Sequence, residues 1–329
     1  MTALSRGKLL ITGGRGMLGN AVISAAVADG WQVSALQRNP SGMADGNSVV
    51  DVLGSVTDPH TVSKAIVGCD GVIHLAARVG IEGRWSDFED VNITGTRVVM
   101  EQAQKVGARS FVYVSSPSVA HVGQPLIAAG AIPAEPQRVR GYYSRSKALA
   151  EQWVLGCTGI DVVAIRPHLV WGPGDQQLVG RIISRARSGR LFLVDGGRAL
   201  IDTTYVDNAA EALVHSVTRT SDPDVKGRAF VVSNGEPRPV RDVIEAILAA
   251  AGVDVTPRSI AYRPAWIAGA LGEWVGSVTK REPLVTRFLV EQLATAHWFE
   301  IRDTWDRLGW RPRISLDEGM DRLARSFAG

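Results

Sequence analysis

Hydrophobic residues in the first half of the chain alternate between short continuous runs and segments with helical spacing. Where they recur every three or four positions they predict helices, at Leu18–Asp29, Pro59–Val67 and Val91–Val106. Continuous apolar runs between such helices are typical of parallel strands that are buried on both faces of a doubly wound α/β sheet. The predicted strands are Lys8–Thr12, Trp31–Leu36, Ser48–Val52, Gly71–Leu75, Ser110–Ser115 and Val162–Arg166.

The pattern loosens after residue 170, where helices such as Val240–Ala251 and a final one from about Ser315 to Phe327 dominate. No Ser- or Pro-rich linker separates the two parts, so we expect them to pack directly on each other. We predict a sheet domain over residues 1–170 and a smaller, mostly helical lobe over residues 171–329. Some strands and helices of this lobe are expected to return to the first domain. Without a recognisable targeting segment, we expect a cytoplasmic protein.

The composition excludes several classes of protein. Of 329 residues, 45% are hydrophobic, which excludes disorder, and 36 basic against 33 acidic side chains leave a scattered net charge of +3 that argues against nucleic acid as a partner. Two cysteines, Cys69 and Cys157, are too few for a disulfide framework, and no cluster of His, Cys, Asp and Glu has metal-ligand spacing, so we predict no metal. Five of the nine Trp residues lie within 266–310, which indicates either a buried helix or an apolar surface that admits a long-chain substrate.

A glycine-rich turn follows the first strand directly and opens a helix. Its glycines have GxxGxxG spacing, which lets backbone N–H groups approach a pyrophosphate at a helix N-terminus. This turn predicts a Rossmann-type dinucleotide site. The residues of the turn are Gly13, Gly14, Arg15, Gly16, Met17, Leu18 and Gly19.

Cofactor preference follows from the end of the second strand, where a site for NAD would carry a carboxylate. The chain has Arg38 there, and Arg15 lies in the glycine turn itself. Two guanidinium groups suit a 2′-phosphate, so we predict NADPH or NADP+ as the cofactor. The alternative is a pair of solvated surface arginines.

Candidate acid–base chemistry comes from Tyr143 and Lys147, which are four residues apart and share one helix face. An ammonium beside a phenol is expected to lower the pKa of the phenol, so that Tyr143 can pass a proton to a carbonyl oxygen. Upstream, Ser115, Ser116 and Ser118 follow a predicted strand and lie at the ligand-binding edge of the sheet. A turn or capping role is the alternative for any one of these serines.

In this order the motifs resemble those of the extended short-chain dehydrogenase/reductases, in particular the branch similar to 3β-hydroxysteroid dehydrogenases. The resemblance covers essentially the whole chain. It rests on TGGRGMLG, His74-Leu75-Ala76-Ala77, Val91-Asn92-Ile93-Thr94-Gly95-Thr96, YVSS, YSRSK, Arg166-Pro167, Leu308-Gly309-Trp310-Arg311-Pro312 and Leu316-Asp317-Glu318-Gly319.

The resemblance implies that Ser116 polarises the substrate carbonyl, that Tyr143 is the acid/base, and that Lys147 holds the ribose and tunes Tyr143. It also implies further cofactor contacts, at Ser55, Val56, Leu75, Ala76, Ala77, Asn92, Pro167 and His168. At Ser55 the chain departs from the family, which usually has an adenine-binding Asp there. Substrate contacts are predicted at Ser118, His168, Trp171 and Gln176, and a hydrogen-bonded core position is the alternative for His168.

Longer strings are similar to the NADPH-dependent 2-alkyl-3-oxoalkanoate reductases of bacterial long-chain olefin and β-lactone biosynthesis. These strings are residues 172–179, 202–208, 233–237 and 286–293. They imply reduction of a 2-alkyl-3-oxoalkanoic acid to the 3-hydroxy acid. Two alternatives remain open, a 3β-hydroxysteroid or related alcohol dehydrogenase and a non-catalytic NADP(H)-binding regulator.

The expected partner is therefore a small hydrophobic keto acid or sterol, and the family resemblance implies a homodimer. Peripheral association with a membrane or with another pathway enzyme is a further hypothesis. It draws on the Trp-rich segment and on a basic run that otherwise forms a solvated face. The residues of this run are Arg181, Arg185, Arg187 and Arg190.

Overall fold

The computed structural model describes residues 6–80, 83–279 and 286–328, and its side-chain description excludes residues 274–279 and 288. The strands are β1 (Lys8–Thr12), β2 (Gln32–Gln37), β3 (Val49–Leu53), β4 (Gly71–His74), β5 (Ser110–Val114), β6 (Leu126–Ala129), β7 (Asp161–Pro167), β8 (Val170–Trp171), β9 (Phe192–Val194), β10 (Leu200–Ile201), β11 (Thr204–Tyr205), β12 (Ala229–Val232), β13 (Arg238–Pro239), β14 (Arg258–Ile260) and β15 (His297–Phe299). The helices are α1 (Met17–Ala28), α2 (Pro59–Ala65), α3 (Trp85–Phe88), α4 (Gly95–Lys105), α5 (Tyr142–Leu155), α6 (Val179–Arg187), α7 (Val206–Val217), α8 (Val240–Ala250), α9 (Tyr262–Thr279), α10 (Arg287–Ala294) and α11 (Leu316–Ala328).

The central feature is a seven-stranded parallel sheet in the order β3-β2-β1-β4-β5-β7-β12. Helices cover both of its faces. In β1, Leu9 and Ile11 pack into the core on one side, while Leu10 packs into the core on the other, and all three are fully buried. The predicted doubly wound α/β fold is therefore confirmed, and the apolar runs owe their continuity to burial on both faces.

Two elements of this layer come from the second half of the chain, and the sequence pattern does not identify which ones they are. Strand β12 extends the sheet beyond β7, with Phe230 opposite Ile165, and helix α7 packs against α1. Residues after 170 thus complete both the sheet and one of its helical layers. A strand of four residues and a helix with a broad apolar face are too common in sequence to be assigned to a distant sheet.

The rest of the second half builds the lobe that lies over the carboxyl ends of the strands. Its core contains side chains from α6, α8 and α11 around Trp171 and Tyr205. Small sheets add to it, with the strand orders β13-β10-β15-β6, β11-β8 and β14-β9. Within the described ranges no helix is long and apolar enough to cross a membrane.

The helix predicted at Val91–Val106 begins as a π-helix, Glu89–Thr94, before continuing as α4. A π-turn shifts the side chains that follow it relative to a regular helix and is often found at functional sites. Here it carries Asn92, which is almost completely buried against α5.

Helix α5 is attached to the sheet by a buried ion pair between Glu151 and Arg166 of β7. The guanidinium donates to both carboxylate oxygens, at 2.9 and 2.5 Å, and also to the Ile132 carbonyl at 2.7 Å. Both side chains are at most 2% exposed. Because removing one partner of a buried pair leaves an uncompensated charge, this contact fixes α5 in position.

We expect Glu151→Leu to lower the free energy of unfolding by about 3–5 kcal/mol, because Arg166 is then buried without a counter-charge. The double variant Glu151→Leu/Arg166→Met should recover most of this loss. Glu135→Gln, which removes a surface ion pair with Arg138, is the matched control and should change stability by less than about 1 kcal/mol. Urea denaturation measures all three, and equal effects of Glu151→Leu and Glu135→Gln would contradict the role assigned to the buried pair.

Candidate active site

The glycine turn between β1 and α1 leaves no room for side chains at two of its positions. Gly13 has a φ of +78°, and a Cβ there would lie 2.9 Å from the backbone nitrogen of Ala76. A Cβ at Gly19 would collide with the carbonyl oxygen of Gly13. Both glycines are therefore required by the close approach of α1 to the strand ends.

In contrast, Gly16 faces open space and helix α1 starts there without a side-chain cap. Unpaired N–H groups at such a helix start form a site for an anion. The side chains of Met17 and Leu18 pack into the core, so these residues offer only their backbone. The turn fits the pyrophosphate of a dinucleotide.

At the end of β2 the exposed side chains of Arg15 and Arg38 make no ion pair within the described parts of the chain. Sequence reasoning missed their buried neighbour Gln37. Its Nε2 donates to Asp51 of β3 at 2.7 Å, and its Oε1 has no hydrogen-bond partner. Asp51 also accepts from the backbone and the hydroxyl of Ser41, both at 2.8 Å. A neutral amide thus stands at the strand end where a carboxylate would face the ribose of NAD.

The other predicted cofactor positions lie at neighbouring strand ends. Leu75, Ala76 and Ala77 follow β4, and the Ala76 backbone donates to the Thr12 hydroxyl at 3.1 Å. After β3, Ser55 pairs with the Thr57 hydroxyl at 2.8 Å. Two further residues are buried, Val56 against Gly95 and Pro167 at the end of β7.

Buried His74 and Asn92 fix the elements that meet behind the site. The His74 ring bridges the hydroxyls of Thr12 (2.8 Å) and Thr96 (3.0 Å), and burial lowers its pKa to about 3. Asn92 exchanges hydrogen bonds with the backbone of Arg78 and donates to the Ser146 hydroxyl at 2.9 Å. These contacts tie the loop after β4 to helix α5.

Ser116 and Tyr143 meet at the bottom of a large cavity. A side-chain hydrogen bond joins them and lowers the pKa of Tyr143, but burial has the larger effect and raises this pKa to about 12. The lowering expected from Lys147 does not occur in this arrangement. The phenol is therefore protonated at neutral pH.

The amine of Lys147 points away from Tyr143 towards the end of β5. Its Nζ donates to the Val114 carbonyl at 2.5 Å and lies 4.0 Å from the centre of the Tyr113 ring. Burial lowers the pKa of Lys147 to about 7, an effect that Glu151 opposes. Lys147 is only 2% exposed, so its charged form loses most of its hydration in the folded protein.

The cavity has a volume of about 1730 Å³ and lies between the strand ends and the lobe. Helices α6 and α8 supply much of its apolar wall, with Leu178, Ile182, Val243 and Ile244. Of the predicted substrate contacts, Ser118 and His168 line it. His297 Nε2 donates to the Gln292 carbonyl, so its Nδ1 accepts from His168 Nε2, with both distances at 2.9 Å.

Two predicted substrate contacts, Trp171 and Gln176, do not line the cavity. Trp171 is fully buried in the lobe core, where it packs against Tyr205 and donates to the Thr203 hydroxyl at 2.9 Å. Gln176 is exposed outside the cavity, and its neighbour Gln177 lines the cavity instead. Strand-end position in the sequence alone does not tell which way a side chain points.

The clustered Trp residues have different surroundings. Trp266 lines the cavity, with the Arg287 guanidinium 5.5 Å from its ring centre, whereas Trp310 is buried in the main core. Trp305 packs beside Phe299, and the side chain of Trp274 lies outside the described residues. In the basic run, Arg181, Arg185 and Arg190 line the cavity and Arg187 is exposed elsewhere.

Comparisons with known proteins agree with this geometry. A model of the 3-beta hydroxysteroid dehydrogenase/isomerase family matches residues 10–261. The chain belongs to this family. The predicted resemblance to extended short-chain dehydrogenase/reductases is thereby confirmed.

Two relatives of this family member carry the name 2-alkyl-3-oxoalkanoate reductase. That of Stenotrophomonas maltophilia is 38% identical and covers 98% of this chain and 99% of its own length. That of Shewanella oneidensis is 32% identical over 96% of this chain and 85% of its own length. The Bordetella bronchiseptica enzyme WbmG, solved in complex with NAD, has the same fold, with a TM-score of 0.74, 18% identity and coverage of 100% of this chain and 96% of its own. This member of the 3-beta hydroxysteroid dehydrogenase/isomerase family is an oxidoreductase that acts on CH–OH or C=O groups.

The buried amine makes stability depend on pH in a defined direction. Between pH 7 and pH 10.5 Lys147 is neutral in the folded state and charged in the unfolded state, so the wild type gains stability as pH rises. Lys147→Met removes this gain. We expect its stability relative to wild type to fall by about 2–4 kcal/mol from pH 7 to pH 10 in urea denaturation.

Lys105→Met, at an exposed position of α4, is the control and should follow the wild type at every pH. Parallel stability curves for Lys147→Met and wild type would show that the amine is not buried.

Proposed function

We propose that this protein reduces a 2-alkyl-3-oxoalkanoic acid to the 2-alkyl-3-hydroxyalkanoic acid with NADPH, in a long-chain olefin or β-lactone pathway. The observation that carries the proposal is the protonated Tyr143–Ser116 pair at the bottom of a large apolar cavity. Relatives named for this reaction support the choice of substrate class.

The cofactor would be held by the glycine turn and helix α1 at its pyrophosphate and by Arg15 and Arg38 at its 2′-phosphate. When bound, NADPH supplies a hydride to the carbonyl carbon of the substrate. Lys147 and Asn92 act behind this site. Asn92 fixes helix α5 through Ser146. Lys147 Nζ donates to the Val114 carbonyl and would use another of its hydrogens to bind the ribose.

Tyr143 would donate its proton to the oxygen that becomes an alkoxide during the reaction. The phenol of Tyr143 carries its proton at neutral pH, as the proton donor of a reduction must. Ser116 would donate its hydroxyl hydrogen to the same oxygen and stabilise the developing charge. A non-catalytic regulator, the alternative function, would not need the hydroxyls of Ser116 and Tyr143 in this arrangement.

The size and polarity of the cavity support a substrate with two alkyl chains. At about 1730 Å³ it exceeds the usual range of roughly 300–1,000 Å³ for small-molecule pockets. A sterol, which the family name suggests as the second candidate, would fill only part of it. Comparing turnover of a 2-alkyl-3-oxoalkanoic acid with NADPH and of a 3β-hydroxysteroid with NADP+ separates the two candidates.

We further propose a homodimer and a peripheral contact with a membrane. The exposed side chains of Ile267 and Leu271 on α9, close to Trp266 at the cavity, support the second proposal. Analytical ultracentrifugation and flotation with vesicles of anionic lipid test them separately.

For the cofactor, we expect Arg38→Ala to lower kcat/KM for NADPH by about tenfold or more, because one charged hydrogen-bond donor to the 2′-phosphate is lost. The value for NADH should stay within about twofold, since NADH lacks that phosphate. Arg109→Ala, before the amino end of β5, serves as the control. Equal use of both cofactors by the wild type would refute the preference.

For the acid, we expect Tyr143→Phe to lower kcat by about 10²–10⁴-fold, because the proton donor is removed while the ring is kept. Binding of NADPH, followed by fluorescence titration, should be nearly unchanged. Tyr142→Phe alters the adjacent phenol, whose ring packs against Trp85 and Phe88, and should retain the wild-type rate. Full activity of Tyr143→Phe would rule out the mechanism.

A further inference from the structure

Two polar side chains beside Ser116 have no role in the reaction proposed above. Ser118 and His121 belong to the short 3₁₀ segment Pro117–Ala120 and its C-terminal end, and both line the cavity. The Ser118 backbone donates to the Ser116 hydroxyl at 3.2 Å, so the segment starts at the reacting position. In a 3₁₀-helix, residues three apart lie on the same side. Ser118 and His121 therefore form one polar strip on the cavity wall.

Both side chains hold buried polar atoms without partners. Within the described parts of the chain, Ser118 Oγ and His121 Nε2 make no hydrogen bond, and His121 is 8% exposed. Gln292 Nε2 faces His121 Nδ1 at 3.5 Å and can only donate to it, which leaves the ring proton on Nε2. Both atoms are almost inaccessible in this arrangement, so the two side chains must turn towards the cavity before they can donate to a ligand. A buried donor without an acceptor is unfavourable, which favours such a turn once a ligand supplies an acceptor.

The charges around the cavity favour an anion. The described residues that line it include a single carboxylate, Glu273, which is paired with Arg287 at 2.7 Å. Arg84 and Arg140 are paired with Asp87 and Glu291, and both Glu291 and Arg140 lie close to His121. The excess of positive charge therefore comes from the arginines of helix α6 and the loop after it, such as Arg181 and Arg190. A low-dielectric cavity with an excess of one charge concentrates ligands of the opposite charge. The arginines that line the cavity are Arg84, Arg140, Arg181, Arg185, Arg190 and Arg287.

The proposed substrate brings a carboxylate to this place. In a 3-oxo acid a single carbon separates the ketone carbon from the carboxyl carbon, so their oxygens lie within about 3–4 Å of each other. When Ser116 and Tyr143 hold the ketone oxygen, the carboxylate must bind next to Ser116. Ser118 lines the cavity and is bonded through its backbone N–H to the Ser116 hydroxyl, so it lies close to this place.

We propose that Ser118 and His121 bind the carboxylate of the substrate and make the enzyme selective for acids over neutral ketones and esters. This inference rests on the proposed function. Ser118 donates through its hydroxyl after rotation about χ1, and His121 donates through Nε2–H. Gln292 positions the His121 ring from helix α10 of the lobe.

The test uses the stable reaction product, a 2-alkyl-3-hydroxyalkanoic acid, and its methyl ester, each oxidised with NADP+ while NADPH absorbance is followed. We expect the wild type to favour the acid in kcat/KM by about tenfold or more, since a charged acceptor strengthens both hydrogen bonds. In Ser118→Ala and His121→Leu this ratio should fall towards one through a higher KM for the acid. His121→Gln keeps a donor and should restore part of it.

Ser115→Ala is the matched control, because its hydroxyl is also buried without a partner but Ser115 does not line the cavity. It should retain the wild-type acid-to-ester ratio. Variants of Ser118 and His121 that also retain this ratio would overturn the inference while leaving the reaction intact.

Calorimetric binding of the hydroxy acid and the ester to the NADP+-loaded protein separates the two proposals. Tight binding of the acid that is lost in the variants, without any turnover, supports the carboxylate site and contradicts the proposed reaction. Equal binding of acid and ester by the wild type contradicts the carboxylate site, whatever the turnover.

Discussion

Helix α5 is held against the sheet by polar contacts in the protein interior, and the geometry of the site depends on where this helix lies. Glu151 pairs with Arg166 of β7, and Lys147 donates to the carbonyl at the end of β5. Ser146 meets Asn92 of the π-helix. Because each contact joins α5 to a different element, Tyr143 in its first turn has a fixed position relative to Ser116. The loss of any one contact leaves a buried polar group unpaired. The contacts therefore depend on one another, and together they fix the position of α5.

Burial of these groups also sets their protonation. The pKa of Tyr143 is raised to about 12, that of Lys147 is lowered to about 7, and that of His74 is lowered to about 3. In each case the loss of hydration of the charged form is the largest cause. The site therefore holds a neutral phenol, a neutral imidazole that bridges the hydroxyls of Thr12 and Thr96, and an amine whose charge responds to its surroundings. In the proposed reduction the phenol would protonate the alkoxide that forms on the substrate.

Much of the fold followed from local sequence, because buried parallel strands and the close turn at Gly13 each impose their own residue types. The pair of Tyr143 and Lys147 could also be recognised, because residues four apart on a helix share one face. What sequence reasoning missed depends on contacts between distant segments. The pairing of β12 with β7 joins residues more than sixty positions apart in the chain, and the partners of His121 come from α10. Trp171 was assigned to the substrate for want of such information, since only packing shows that its ring faces the lobe core.

In the proposed reaction, the carbonyl carbon of a 3-oxo acid receives hydride next to Tyr143. Mass spectrometry of the product formed with NADPH deuterated at the transferable position of the nicotinamide tests it most directly. We expect a 2-alkyl-3-hydroxyalkanoic acid with one deuterium, bonded to the carbon that carries the new hydroxyl. A hydroxy acid without deuterium at that carbon, or no hydroxy acid from a stoichiometric mixture of enzyme, cofactor and keto acid, would contradict it.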